Sequence, residues 1–255
     1  MPEISTNLLS QRVLDMVESA TIKMAQLARE LNEQGKSVIS LSLGEPDFDT
    51  PQHIKDAAKK ALDDGYTKYT PVPGLVELRK AITNKFKRDN NLDYSPSQIV
   101  VSNGAKQSIA NLALALLNPG DEVIVFTPYW VSYYEIIRLA EGVPVTVSAG
   151  IENDYKVKPE DVAAAITDRT KFVIFSSPCN PTGSVYSKAE FEAIAEVLAP
   201  YPDIYIVADE IYEYINFTGS TFSIGSLPQL KDRVITVNGF AKGFAMTGWR
   251  LGYIG

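Results

Sequence analysis

The chain has 255 residues, 45% of them apolar and 22% charged, the composition of a soluble globular protein with enough apolar residues for a full core. A net charge of −7 argues against nucleic acid or an anionic membrane as partner, while leaving room for a local basic pocket that takes a phosphate. A single cysteine, Cys179, excludes an internal disulfide and a cysteine-rich zinc site, and the lone histidine, His53, would have to serve any Ser-His-Asp triad or histidine metal centre by itself.

The opening MPEISTNLLSQRV lacks the basic-then-apolar pattern of a signal peptide, and no stretch approaches the ~20 apolar residues of a membrane span, so a cytoplasmic protein is expected. Residues 1–10 read as a polar arm. Ile22, Ala25, Ala28 and Leu31 fall on one helical face, predicting a helix over 19–35 with Ser19 or Thr21 as cap and Gly35 as stop. Alternation from Val38 to Leu43 predicts a short strand, and LGEPDFDTP then breaks into a loop whose Gly44 admits close approach to the backbone. Helices are predicted from Pro51 to Asp63 and from Leu75 to about Asn90. The loop between them, YTKYTPVPG, carries Tyr69, read either as packing or as a ligand-facing residue.

Beyond Pro96 strands and helices alternate. Strand Ile99 to Ser102 leads through the turn Asn103-Gly104-Ala105 to a helix from Lys106 to Leu117. Strand Glu122 to Phe126 is followed by Tyr129, Trp130 and a helix from about Val131 to Glu141. Strand Val143 to Val147 precedes a helix from Pro159 to Ile166. Strand Lys171 to Phe175 opens into SSPCNPTG and a helix from Lys188 to Leu198, and strand Ile204 to Ala208 ends at Asp209-Glu210. The β-branched run Val234 to Val237 reads as a buried strand, with Lys242 just beyond it among Gly239, Ala241 and Gly243.

This order predicts an α/β fold, three layers with a mostly parallel sheet covered by helices on both faces, and ligands bound beyond the carboxyl ends of the strands. Those ends present Gly104, Ala105, Trp130, Asn180, Asp209, Tyr212 and Lys242. Each has an ordinary reading as well: a steric glycine turn, a core tryptophan, a turn asparagine, an N-capping aspartate, a surface lysine. Together they suit a pyridine aldehyde phosphate, which needs an amine for its carbonyl and a carboxylate for its ring nitrogen. It also needs donors for its ring oxygen, an aromatic to stack on it and an anion site, to which Arg250 adds a charged fork. Other phosphate and nucleophile signatures, G-x-x-x-x-G-K-[ST], G-x-G-x-x-G and G-x-S-x-G, are absent from the sequence.

The segments SLGEPDFDTP, TKYTPVPGLVELR, NGAKQ, GDEVIVFTPYWVSY, SSPCNPTG, VADEIY and NGFAKGFAMTGWRLGY, in this order, resemble the fold-type-I pyridoxal-phosphate aminotransferases of class I/II, specifically their bacterial aspartate aminotransferase branch. The resemblance implies pyridoxal 5'-phosphate bonded to Lys242, Asp209 on the ring nitrogen, Asn180 and Tyr212 on the ring oxygen, and Trp130 stacked on the ring. It further implies a phosphate site at Gly104, Ala105, Lys106 and Arg250, with Gly44, Trp130 and Asn180 toward the substrate. Tyr69 is similar to a family tyrosine that reaches the phosphate of a neighbouring subunit, which implies a homodimer with shared sites.

By the same resemblance, residues 1–48 form an arm and part of a small domain, and 49–255 the cofactor-binding large domain, incomplete at its carboxyl end. An arginine that grips the substrate's α-carboxylate in relatives falls beyond Gly255. The implied activity is ping-pong transamination between an amino acid, aspartate or glutamate, and a 2-oxo acid, 2-oxoglutarate or oxaloacetate. Alternatives within the fold are an aromatic or prephenate aminotransferase and a C–S lyase, and outside catalysis a truncated, silent dimeric scaffold. Gly239 stands where many relatives carry a phosphate-binding serine, with weaker cofactor binding expected. Lys106 is also a candidate for a substrate's distal carboxylate.

Overall fold

The computed structural model describes residues 8–17 and 20–255. Its helices are α1 (Gln11–Leu14), α2 (Ala20–Glu33), α3 (Gln52–Asp63), α4 (Val76–Asn90), α5 (Ala105–Leu116), α6 (Ser132–Leu139), α7 (Pro159–Ala165) and α8 (Lys188–Leu198). The strands are β1 (Val100–Ser102), β2 (Glu122–Thr127), β3 (Val143–Ser148), β4 (Thr170–Ser176), β5 (Tyr205–Asp209), β6 (Val234–Gly239) and β7 (Gly252–Ile254). They form one sheet in the order β1-β7-β6-β5-β4-β2-β3. Neighbours from β3 to β6 pair in parallel, and β7 runs antiparallel to both β6 and β1.

Side chains of a strand point alternately to its two faces, so a sheet covered on both sides needs an unbroken apolar run. In β4, Val173 and Phe175 enter a core with Val162 of α7 and Phe191, Ile194 and Leu198 of α8. Phe172 and Ile174 enter the opposite core with Ile109 and Ala113 of α5 and Tyr133 and Ile137 of α6. Each fully buried side chain of this size stabilises the fold by about 1.5–3 kcal/mol relative to exposure. The three-layer architecture predicted from the alternation is therefore the one observed.

Local chemistry sets the helix ends. Ser187 and Glu190 form a reciprocal cap on α8, with Glu190 N–H donating to Ser187 Oγ at 3.3 Å and Ser187 N–H to Glu190 Oε2 at 2.7 Å. Helix α4 stops where Asn91 takes a left-handed φ of 56°, letting Leu92 N–H return to the Phe86 carbonyl at 3.1 Å. That stop fixes Asn90 and Lys85 under the end of β5, which matters below.

Several expectations are corrected. Val38 to Leu43 forms no strand: Ile39 and Leu41 are 87% and 91% exposed, and a strand exists only where a neighbour pairs its backbone. In α2, Ala25 and Ala28 are buried but Ile22 is 56% exposed, while the proposed cap Ser19 lies outside the described residues. Strand β5 continues to Asp209 and β6 to Gly239, each beyond its predicted end, and the helix expected over 131–141 is confined to α6. The reversed strand β7 was not anticipated. Among the described residues no helix is long and apolar enough to cross a membrane.

Strand β7 fits because it brings glycine to its closest contact. Gly252 pairs with Gly239 across the sheet, and a Cβ built on Gly252 would lie 2.2 Å from the backbone nitrogen of Ala105. The missing side chain lets the start of α5 rest on the strand. Gly252→Ala is expected to lower stability by about 1–3 kcal/mol through overpacking, measured by urea unfolding; an unchanged midpoint would show that α5 can move off the strand at no cost.

Candidate active site

Each strand-end residue singled out from the sequence lies at the carboxyl edge of the parallel strands or in the segment that follows it. Asp209 closes β5, Tyr212 sits in the next turn, and Lys242 follows β6, the strand beside β5. Asn180, in the loop after β4, donates from Nδ2 to the Tyr212 hydroxyl at 3.0 Å. The Lys242 ammonium donates to the Gly44 carbonyl and lies 5.6 Å from the centre of the Tyr212 ring. A Cβ on Gly44 would stand 3.8 Å from Lys242 Nζ and 3.9 Å from the Tyr212 oxygen. Gly44, Asn180, Tyr212 and Lys242 thus form one group, although 198 residues separate the glycine from the lysine.

Burial sets the charges. Asp209 is 4% exposed, and loss of water pushes its pKa up to about 6. The Tyr133 hydroxyl, which donates to Asp209 Oδ2 at 2.5 Å, opposes that rise, as do the Ile211 N–H on Oδ1 at 3.2 Å and the charge of Lys242. The Ile211 contact is the local turn expected of a capping aspartate, so the ordinary reading and the functional one coexist in this residue. Lys242 is lowered, chiefly by burial and further by Arg250, against the carboxylates of Glu45 and Asp209. A larger share of free amine follows, as covalent chemistry at a lysine requires. Burial, and then the Asp209 charge, raise the Tyr212 phenol, which therefore stays protonated and able to donate.

A second cradle lies at the start of α5. Gly104 takes a φ of +83°, and a Cβ there would fall 2.1 Å from Arg250 Nη2. Only a residue without a side chain lets the guanidinium lie over the first turn of α5, whose leading N–H groups have no helical acceptor. Such a pair of donors fits a phosphate. Lys106 Nζ stands 4.8 Å over the Trp130 ring, with its pKa lowered by partial burial and by Arg250. The donor set fits pyridoxal phosphate: an anion between Gly104 and Arg250, a protonated ring nitrogen at the buried Asp209, a ring oxygen at Asn180 and Tyr212, and a carbonyl at Lys242. Among the described residues no group of His, Cys, Asp or Glu is arranged to hold a metal ion.

Tyr69 is not part of this cluster; its side chain is fully exposed, at 107% of the reference area. Tyr133 was missed by sequence reasoning, which stopped at Trp130. The available signal was their spacing, since three residues apart at a helix start puts both rings together, here 5.5 Å between centroids. Also unanticipated were two hydrogen bonds that hold the 43–50 loop to the lysine segment. Thr247 Oγ1 donates to Glu45 Oε1 at 2.5 Å, and Thr50 Oγ1 to the Ala245 carbonyl at 2.5 Å. At Gly239 a Cβ would lie 2.9 Å from the Leu251 carbonyl oxygen and 3.0 Å from Gly252 Cα, so β7 leaves no room for a serine.

The family model for aminotransferase class I and II matches residues 36–255. An aspartate/prephenate aminotransferase of Nitrosomonas europaea is 50% identical over 249 residues, covering 97% of this chain and 63% of that protein. The solved aspartate aminotransferase of Thermus thermophilus with maleate superposes with a TM-score of 0.93 at 49% identity, over 96% of this chain and 64% of that one. An alanine aminotransferase from Pyrococcus furiosus gives a TM-score of 0.90 at 38% identity, over 96% of this chain and 63% of that one. The chain spans a little under two thirds of the length of these relatives.

The Tyr133 bond makes a pH prediction. Because the folded pKa of Asp209 is raised from 3.8 to about 6, the stability it contributes is complete below 3.8 and is lost as pH rises through about 6. Tyr133→Phe removes a donor that favours the carboxylate, so Asp209 should titrate at a higher pH still and the loss should extend upward. Carbon-13 NMR of labelled aspartate in the cofactor-free protein reads this directly. A titration midpoint unmoved or lowered would show that the hydroxyl does not act on the carboxylate.

Proposed function

The chain belongs to the aminotransferase class I and II family, and from that premise we propose that it transfers an amino group between an amino acid and a 2-oxo acid by way of pyridoxal 5'-phosphate. The observation that carries the reading is the pairing of a buried carboxyl and an amine of lowered pKa at the ends of adjacent strands, beside an anion cradle. When bound, pyridoxal phosphate supplies an aldehyde for an amine and a cationic ring that accepts electron density. Asp209 would hold a proton on the ring nitrogen, its carboxylate oriented by the Tyr133 hydroxyl. Asn180 and Tyr212 would hydrogen-bond the ring oxygen, Trp130 would cover a ring face, and Gly104, Ala105, Lys106 and Arg250 would take the phosphate.

Lys242 would hold the cofactor through its amine and, once freed by the amino substrate, would serve as the base for the proton at the substrate Cα. Burial, which lowers its pKa, favours the free amine that such a base requires. Gly44 lies against the lysine, where the substrate's carboxylate would pass. The two half-reactions share one site, so the kinetics are ping-pong.

We assign aspartate and glutamate, with oxaloacetate and 2-oxoglutarate, as substrates. Two kinds of observation support this: the relatives named for aspartate, one of them solved with maleate, a dicarboxylate, and Lys106 standing over the Trp130 ring. Prephenate is a second acceptor to test, since the name of the Nitrosomonas europaea protein includes it. Residues 1–48 belong on this reading to an arm and a small domain, and 49–255 to the large domain. Tyr69 reaches the phosphate of a second copy in a homodimer; its full exposure, with Val72 at 98% and Tyr66 at 69%, provides a surface for that contact. The free Cys179 suits a reducing, cytoplasmic setting.

Incubation with pyridoxal phosphate and borohydride, followed by peptide mapping, should place the pyridoxyl group on Lys242, and Lys242→Ala should abolish both labelling and turnover. Label at another lysine, or none, rejects the cofactor assignment. Lys106→Ala should depress turnover of aspartate relative to alanine by about tenfold or more, the value of a charge-assisted hydrogen bond. An unchanged ratio of the two rates removes Lys106 from substrate selection.

A further inference from the structure

Immediately after Asp209 the chain turns Glu210 away from the strand-end cluster and into a buried polar network that the proposed reaction does not use. Ser223 Oγ donates to Glu210 Oε1 at 2.6 Å, and the Asn90 amide donates both to Glu210 Oε2 at 2.9 Å and to Glu213 Oε2 at 2.8 Å. Glu213 is also met by the Lys85 ammonium and by Asn238 Nδ2, the latter at 2.9 Å. Lys85 Nζ reaches Asn90 Oδ1 at 2.6 Å, and Asn238 Oδ1 accepts the Gly239 N–H at 2.7 Å. The contacts therefore run from the residue after Asp209, through the residue after Tyr212, to the strand end that precedes Lys242. Asn90 is 8% exposed, Glu210 6% and Asn238 1%, so the bonds of Glu210 to Ser223 and Asn90 are made away from water, while those of Glu213 are part-buried.

We propose that Glu210 is a positioning residue for this site: by sharing the Asn90 amide with Glu213 it clamps the end of β5 to the Tyr212 turn and, through Asn238, to the end of β6. Asp209, Tyr212 and Lys242 keep their relative places because the backbone segments that carry them are tied together from behind. This rests on the reading of those three residues as the cofactor site.

The clamp requires one of its two carboxyls to be neutral. Two carboxylates accepting from one amide repel each other in a poorly solvated place, and Lys85 is already taken by Glu213. The ionisable groups facing Glu210 are Glu213 on its own segment, Lys85 and Asp89 on α4, Tyr94 after α4 and Tyr253 on β7, while the 216–226 loop offers the hydroxyl of Ser223. Burial, and then the Glu213 charge, push Glu210 up to about 8 against Ser223, Lys85 and Asn90. Its folded value lies above its ordinary 4.5, so the stability it contributes is complete below 4.5 and lost as pH rises through about 8. Glutamine mimics the neutral acid; alanine removes the clamp.

The test compares the 255-residue chain with Glu210→Gln and Glu210→Ala in three measurements. In thermal unfolding of the cofactor-free protein from about pH 5 to about pH 9, the unaltered chain should lose stability toward pH 8, and Glu210→Gln should be flatter over that interval. Competitive acylation of Lys242 in the same protein should show its pKa moved upward by roughly one unit in Glu210→Ala, as the loosened site takes in water, and unmoved in Glu210→Gln. The dissociation constant for pyridoxal phosphate should rise about tenfold in Glu210→Ala and return to within about twofold of the unaltered value in Glu210→Gln at pH 7. A Glu210→Ala protein that melts earlier but keeps its Lys242 pKa and cofactor affinity overturns the proposal, and so does equal pH dependence of unfolding in the unaltered chain and Glu210→Gln. Should Glu210→Ala fail to fold, the Glu210→Gln comparisons still decide. If no form binds pyridoxal phosphate, the cofactor assignment falls, while the unfolding and acylation results still judge the clamp.

Discussion

The costliest placement in this molecule is a carboxyl group taken out of water at the end of a strand. Asp209 lies between the sheet and α6, where desolvation opposes its ionised form, and the hydroxyl of Tyr133 and one backbone N–H make up part of the loss. What remains is a carboxyl whose ionised form is still disfavoured by burial, so that a nearby cation stabilises it. Lys242 supplies some of that field from the neighbouring strand end, and a protonated pyridine ring would supply the rest. On the proposed reading, such a site would hold the charge of its cofactor because its own acid lacks a full partner without it.

The sheet makes that pairing possible. Parallel strands β5 and β6 end side by side, so residues 209 and 242 approach each other without any local sequence relation. The reversed strand β7 then packs beside β6 through two facing glycines and carries Arg250 toward Gly104. Absence of side chains at 104, 239 and 252 is what lets helix start, sheet edge and guanidinium converge. The same crowding bears on Gly239: a Cβ there would meet the Leu251 carbonyl and Gly252 Cα, so β7 already fills the space that a side chain would need.

Much of this could be read from the residues alone, for a physical reason. Strands covered on both faces must be apolar throughout, so β2, β4 and β6 stand out as runs, and the glycine and proline turns between them mark where ligands bind. Lys242, Asp209, Tyr212 and Asn180 follow from that rule, and the structure brings all four to the carboxyl edge. Features that depend on a distant partner were not legible. Val38 to Leu43 alternates like a strand but meets no neighbour, and β7 spans just Gly252–Ile254, too short for any periodicity. Tyr133 and Glu210 read as ordinary helix and turn residues, and their significance comes from Asp209 and Asn90, 76 and 120 residues away.

The two reacting groups are held in opposite ways. Asp209 is fixed from behind by a hydrophobic core on one side and a buried network through Glu210 on the other, where breaking any bond leaves a desolvated polar group and costs about 1–3 kcal/mol. Lys242 is held from the front by a loop whose anchors, Glu45 to Thr247 and Thr50 to Ala245, lie at or near the surface, where water competes for each bond and its net contribution is about 0.5–1.5 kcal/mol. On the proposed reading, proton transfer asks for that difference: the acid would stay at the ring nitrogen, while the amine would leave one atom and reach another. A rigid strand end and a lightly tethered lysine meet both demands within a single sheet edge.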